Sequence, residues 1–205
     1  MTQPKVSVII INRNGLEWLK VCLPSLEKVT YPNLEVIVVD NGSNDGSVAY
    51  LEASKLVTTI VQNTTNLGFA YPNNQGIEKA TGEFVLFLNN DMTYDPDFIE
   101  PLVAACRQPG IGAAQPKMVR LKTPDRLDGV GSYLTAYGVL LHYGFGRDAA
   151  AKQYNVERDI FCPKCAAMMV RMDVLETTKL PASREHSGSG EGNYTPGVKK
   201  VGAFF

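Results

Sequence analysis

Three short stretches of this chain are apolar at nearly every position and then stop abruptly in polar residues. Residues 5–11 run into Asn12-Arg13-Asn14-Gly15, residues 34–39 into Asp40-Asn41-Gly42-Ser43, and residues 84–88 into Asn89-Asn90-Asp91. Continuous rather than alternating apolarity is the pattern of strands covered on both faces, as in a parallel sheet flanked by helices. The pattern between them agrees. It predicts helices at 16–28 and 47–53, a strand near 58–62, a helix at 72–80, then after the strand at 84–88 a helix at 96–107 and a strand near 112–116. Such alternation is the signature of a Rossmann-like, mostly parallel α/β sheet.

Local chemistry sharpens two of these elements. Asp95-Pro96 reads as a helix start, with an N-cap carboxylate and proline at the first helical position, and Phe98, Leu102, Val103 and Cys106 supply an apolar face. Pro24, inside the first helix, predicts a kink or an early end. From 117 to 159 the pattern loosens: glycines at 129, 131, 138, 144 and 146 and aromatics at 133, 137, 143 and 145 predict short strands or loops decorating one side of the sheet. Regular structure resumes with a strand at 166–171 and a short helix through 178. After Leu180, the run Ser187-Gly188-Ser189-Gly190 has little to bury and predicts a flexible tail over 181–205.

With 205 residues and 44% apolar content the chain suits one domain, 1–180, rather than two. A net charge of −1 without a basic run argues against a duplex nucleic-acid surface, while leaving a small anionic ligand open. No stretch approaches the ~20 apolar residues of a membrane span, so a soluble, cytoplasmic protein is expected. Cys22 and Cys106 fall on apolar helical faces. Cys162-Pro163-Lys164-Cys165 reads either as packing or as half of a zinc or redox site; zinc needs two more ligands, and His142 and His186 are not at motif spacing.

The strand ends carry the chemistry. Open α/β sheets bind ligands in the crevice beyond the C-terminal ends of their strands, where Asp40 and Asp91 both emerge. Either is a turn residue or a ligand-holding carboxylate, and Asp91 is the first candidate for holding a metal-bound phosphate. Between them lies Asn66-Leu67-Gly68-Phe69-Ala70-Tyr71-Pro72-Asn73-Asn74. With Pro72 at the first helical position, the amides of Asn73 and Asn74 would lie in the open first turn and form an anion seat, the alternative being an ordinary loop-to-helix turn. Gly68 permits close backbone approach. Asn12, Arg13 and Asn14 offer base or ribose contacts, or simply turn chemistry. A nicotinamide oxidoreductase would need a G-x-G-x-x-G turn where this chain has Asn12-Arg13-Asn14-Gly15.

Taken in order, Val6-Ser7-Val8-Ile9-Ile10, Val38-Val39-Asp40-Asn41-Gly42-Ser43 with Asp45-Gly46-Ser47, Asn66-Leu67-Gly68-Phe69-Ala70 with Asn73-Asn74, and Leu88-Asn89-Asn90-Asp91 resemble the family-two glycosyltransferases of the GT-A fold, nearest to the rhamnosyltransferase-like branch. The resemblance covers about residues 4 to 180 and lacks the usual C-terminal part. It implies a nucleotide-diphosphate sugar donor, a UDP- or dTDP-sugar, bound at the C-terminal sheet edge. Asn12 and Arg13 would lie near the nucleoside, Asp40 with Asn41 near base or ribose, and Gly68, Asn73 and Asn74 near the diphosphate. Asn89-Asn90-Asp91 stands where the family has D-x-D, so Asp91, helped by Asn89, would hold magnesium or manganese.

The resemblance also implies inverting transfer to a glycan or lipid-linked acceptor, as in polysaccharide assembly at the inner face of the membrane, with 117–160 as the acceptor-side insertion. Inversion needs a general base. The family keeps it in a Glu-Asp type motif shortly after the helix corresponding to 173–178, where this chain departs and offers Glu185 and Glu191. The alternative is a truncated or inactive nucleotide-sugar-binding module without a base.

Overall fold

The computed structural model describes residues 3–177 and 201–203. In chain order the elements are β1 Val6–Asn12, α1 Leu16–Leu26, β2 Leu34–Asn41, α2 Ser47–Glu52, β3 Thr59–Asn63, α3 Ala70–Lys79, β4 Phe84–Asn89, α4 Ile99–Cys106, β5 Ala113–Gln115, β6 Met118–Arg120, β7 Thr123–Gly129, β8 Ser132–Leu134, β9 Leu140–His142, β10 Arg158–Ile160, β11 Ala167–Arg171, α5 Met172–Thr177 and β12 Val201–Ala203. Eight of the strands form one sheet, in the order β10-β12-β5-β11-β4-β1-β2-β3.

The three apolar runs are the centre of that sheet. β1 pairs in parallel with β2 on one side and β4 on the other, placing Asn12 opposite Asp40 and Ile11 opposite Asn89. The polar strand ends therefore meet on one rim. Alternate residues serve opposite faces, as pleating requires. Val6, Val8, Ile10, Val36, Val38, Leu86 and Leu88 pack with α1, α2 and α4, whereas Ile9, Val85 and Phe87 pack with Ile77 of α3 and with Val174 and Leu175 of α5. Helices on both faces explain why these strands are apolar on both.

β11 runs antiparallel between β4 and β5. It thus delivers its N-terminal end, Ala167 beside Leu88, to the rim where the parallel strands deliver their C-terminal ends. Two antiparallel hairpins, β6-β7 and β8-β9, lie outside the main sheet, as the loosened pattern predicts. β10, from the same stretch, joins the sheet edge instead of decorating it.

Several boundaries move. α1 contains Pro24 and ends at Leu26, before the predicted 28, consistent with the hydrogen bond that a proline forfeits. α3 begins at Ala70 rather than Pro72, because Phe69 and the residues after it already take helical dihedrals; proline is tolerated in third place since that N–H would have had no helical partner. α4 begins at Ile99 rather than Pro96, after a tight turn in which the Phe98 N–H donates to Asp95 O at 3.3 Å. The expected tail is corrected in one place: Val201–Ala203 pairs with both β5 and β10. Its remainder, with Glu185, His186 and Glu191, lies outside the described residues.

Candidate active site

At the rim a cleft of about 270 Å³ opens between the ends of β1, β2 and β4 and the loop before α3. Arg13, Asn41, Asn66, Gly68, Phe69 and Asn73 line one side, and Asn89, Asn90, Asp91 and Cys165 the other. Six of the residues singled out in the sequence thus share one lining: Arg13, Asn41, Gly68, Asn73, Asn89 and Asp91.

Two polar networks hold these walls. In the first, Asn12 Nδ2 donates to Asp40 Oδ2 at 3.0 Å and to Ser43 Oγ at 3.3 Å, while Asn12 Oδ1 accepts from Asn90 Nδ2 at 2.8 Å. Asp40 Oδ1 accepts the Ser43 N–H at 2.9 Å. Asn12 is 0% and Asp40 1% exposed, and neither lines the cleft. Asn12 and Asp40, both expected near the donor, here bond each other, as buried polar groups must, and position the rim from behind.

The second network is built on Asn41. Its Nδ2 donates to Asn66 Oδ1 and to the Gly68 carbonyl, both at 2.8 Å, and its Oδ1 accepts the Leu67 N–H at 3.0 Å. One side chain thereby shapes the whole turn into α3. Gly68 has φ +79°, and a Cβ there would meet nothing within 4 Å, so its face toward the cleft is open. No side chain caps α3, which leaves the backbone donors of its first turn available to an anion. With the helix starting at Ala70, those donors belong to Ala70 and Tyr71. The backbone amides of Asn73 and Asn74, expected to form the seat, lie past that turn. Asn73 stays at the cleft through its side chain, whose Nδ2 donates to Phe69 O at 2.7 Å, whereas Asn74 is exposed and outside the lining.

The Asn89-Asn90-Asp91 turn is fixed by its backbone. The Asn89 N–H donates to Ala166 O at 2.9 Å, and the Asn89 carbonyl accepts from Tyr94 Oη at 2.7 Å. Cys22 Sγ lies 3.6 Å from the same phenol oxygen. Burial pushes the Tyr94 phenol well above its ordinary range and the Cys22 thiol up to about 11, against the lowering effect of the Tyr94 hydrogen bond, so both stay protonated as donors. Asp91 is exposed, and among the described residues no hydrogen bond or ion pair holds its carboxylate. A hard carboxylate beside the Asn89 and Asn90 amides suits a divalent ion that takes one or two protein oxygens and completes its shell with phosphate and water.

Elsewhere the sequence candidates disperse. His142 sits in β9, with Nδ1 3.0 Å from Ser132 Oγ. Among the described residues no three His, Cys, Asp or Glu gather as a metal cluster. Cys165 reaches the cleft while Cys162 does not line it. Sequence reasoning gave no role to Asn66, Phe69, Asn90 or Tyr94, and weighed Cys165 only as half of the C-x-x-C pair. Asn66, Phe69 and Asn90 stood inside the motifs, and their signal was position; Tyr94 had none, and the spacing of Cys165 pointed to packing, zinc or redox chemistry rather than to the cleft.

Comparison with known proteins bears on this arrangement. The family described as Glycosyl transferase family 2 matches residues 7–175. The O-antigen biosynthesis protein RfbC of Myxococcus xanthus is 35% identical over 120 residues, 57% of this chain and 9% of that protein. The putative glycosyltransferase EpsH of Bacillus subtilis is 34% identical over 107 residues, 50% of this chain and 30% of its own. The mannosyltransferase PcManGT from Pyrobaculum calidifontis, solved in complex with GDP-Man and Mn2+, shares the fold with a TM-score of 0.61 at 21% identity, over 86% of this chain and 47% of its own. S. aureus TarS 1-349, solved in complex with UDP-GlcNAc, matches with a TM-score of 0.52 and 29% identity, over 56% of this chain and 34% of its own. The chain spans less than half the length of each of these proteins.

Proposed function

The chain belongs to glycosyl transferase family 2 and has a GT-A-like fold, and on that premise we propose that it moves a sugar from a nucleoside-diphosphate donor to a hydroxyl of a glycan or lipid-linked acceptor, with inversion and with magnesium or manganese. The observation that carries this reading is the shared lining of Arg13, Gly68, Asn73, Asn89 and Asp91. One cleft thus offers a cation, an uncapped helix start and a carboxylate.

The parts divide the work. Arg13 pairs with a donor phosphate or stacks on the nucleoside, as a guanidinium can. The α3 start and Gly68 receive the diphosphate through backbone N–H groups. Asp91, with the side-chain oxygen of Asn89, holds the divalent ion; when bound, that ion offsets negative charge gathering on the departing nucleoside diphosphate. Asp40 and Asn12 keep the three strand ends in register behind these groups. Residues 117–160, which follow β5 out of the rim and end in the edge strand β10, form the acceptor side of a transferase domain spanning 1–180. GDP-Man and UDP-GlcNAc in the two compared structures support a nucleotide-sugar donor, and here we favour UDP or dTDP as the carrier. That the similar RfbC is an O-antigen biosynthesis protein supports a polysaccharide product.

Calorimetric titration with uridine, thymidine and guanosine diphosphates, with and without manganese, tests the donor half. Manganese-dependent binding that Asp91→Ala abolishes is the expected result; no binding by the intact chain would sink the reading. Release of nucleoside diphosphate from the sugar donor then separates transfer from a binding module without a base.

A further inference from the structure

The β8-β9 hairpin presents an unusual surface. Between Asp128 and Arg147 the sequence has no Asp, Glu, Lys or Arg, in a chain that is 20% charged. Its ends are partly buried, but the middle, residues 133–142, stands largely in solvent. Tyr133, Leu134, Val139, Leu140 and Leu141 are all exposed, and Tyr137 at the tip is 93% exposed. Isolated exposed apolar residues need no explanation, but a contiguous group marks a surface that something covers.

Register shows what kind of cover fits. Tyr133 pairs with Leu141 and Leu134 with Leu140. Successive pairs point to opposite faces of a hairpin, so both faces are apolar. A second protein laid against one face would leave the other in water, whereas a lipid layer surrounds a tip on all sides. The turn is also prepared to leave water. Thr135 N–H donates to Val139 O at 2.9 Å, Gly138 N–H to Thr135 O at 2.9 Å and Val139 N–H to Thr135 Oγ1 at 3.0 Å, so much of its backbone is bonded internally. Unbonded backbone is what hydrocarbon excludes.

We infer that residues 132–142 are a membrane-docking hairpin, whose tip enters the interfacial zone of a lipid bilayer. The three residues of each arm and the turn reach roughly 10 Å at ~3.3 Å per residue, the depth of that zone. Charge enters only at the hairpin's base, where the Asp128 carboxylate pairs with Lys164 and the Arg158 guanidinium lies 4.3 Å over the Tyr143 ring. No helix among the described residues is long and apolar enough to cross a membrane, so contact through this hairpin is interfacial. The inference stands on the hairpin alone and does not depend on sugar transfer.

Co-sedimentation of the full chain with phosphatidylcholine vesicles, with and without added phosphatidylglycerol, tests it. The chain should pellet with both at low and high salt, and Leu134→Ser/Leu140→Ser should bind about tenfold more weakly or worse. In a Trp18→Phe background, which removes the single native tryptophan, Tyr137→Trp should shift its emission to the blue on adding vesicles. Tyr137→Ser, at the most exposed position, repeats the test should the double variant fail to fold. The inference is overturned if the chain stays in solution, or if vesicle binding survives the leucine changes. It is equally overturned if binding requires phosphatidylglycerol and vanishes in high salt, or if sedimentation velocity shows a dimer that the leucine changes dissociate without any vesicle binding.

Discussion

Asn90 donates its side-chain N–H to Asn12 Oδ1 at 2.8 Å, tying the turn that carries Asp91 to the end of β1 across 78 residues of sequence. Asn12→Ala removes this bond and both bonds that Asn12 donates, leaving the Asp40 carboxylate buried with a partner lost. A loss of about 2–4 kcal/mol is expected. Urea unfolding should show a lower midpoint with an unchanged slope, and nucleotide affinity should fall as well.

Tyr94→Phe takes a single donor from the Asn89 carbonyl and leaves the aromatic packing against Phe98 in place. Stability should drop by only about 1 kcal/mol. Because the lost bond fixes the turn beside Asp91, manganese-dependent nucleotide affinity should fall by a larger factor than stability does. Parallel denaturation and calorimetry of this variant measure the two.

Gly76 decides how closely α3 approaches the sheet. A Cβ at that position would lie 2.5 Å from Ile9 Cγ2 and 3.2 Å from Ile9 Cδ1. Gly76→Ala gains about 1 kcal/mol of helix propensity but forces a fully buried neighbour to move, at about 1–3 kcal/mol. A net melting-temperature decrease is expected, with weaker nucleotide binding as the Phe69–Asn73 end of the helix shifts.

At the opposite rim Glu35 accepts bonds from Lys5, Ser7 and Thr81. Burial raises its pKa, but these hydrogen bonds outweigh burial and bring it from 4.5 down to about 2. A depressed folded-state value stabilises the fold above the unfolded pKa and is lost as pH falls toward the folded one. The contribution, on the order of 3 kcal/mol at neutral pH, should therefore fade between about pH 5 and pH 2. Glu35→Gln should flatten that limb of a stability-pH curve and leave little slope there.

Cys22 and Cys106 are fully buried, and burial raises their thiols to about 11 and about 12. Alkylation of the folded protein at pH 8, followed by peptide mass spectrometry, should leave both unmodified; labelling of either one would contradict their place in the core. In denaturant all four cysteines should react.

The central strands were legible because double-sided burial leaves an apolar run that no other element of that length requires, and β1, β2 and β4 lie within two residues of the expected bounds. Helix starts were less so. Both Pro72 and Pro96 tempt the reader to place the first helical residue on proline, yet local dihedrals begin one helix earlier and a turn delays the other. The site was legible as a set of strand ends, since a carboxylate following an apolar run is visible in one dimension. Which of them face the cleft was not. Asn12 and Asp40 carry the same signal as Arg13 and Asp91, and only the three-dimensional hydrogen bonding turns the first pair inward. The reversal of β11, and the link from Asn89 to Ala166 that it makes, depends on pairing between distant segments that leaves no local mark.

That reversal has a further consequence. Because β5 ends and β11 begins on the same rim, the chain leaves the sheet's centre at Gln115 and returns to it at Ala167, adding only the edge strand β10 on the way. Loop closure grows only slowly more costly with length. The hairpins β6-β7 and β8-β9 within it can therefore be lengthened, shortened or exchanged while the strands that line the cleft keep their register, and, on the proposed function, new acceptor preferences can evolve without rebuilding the donor site.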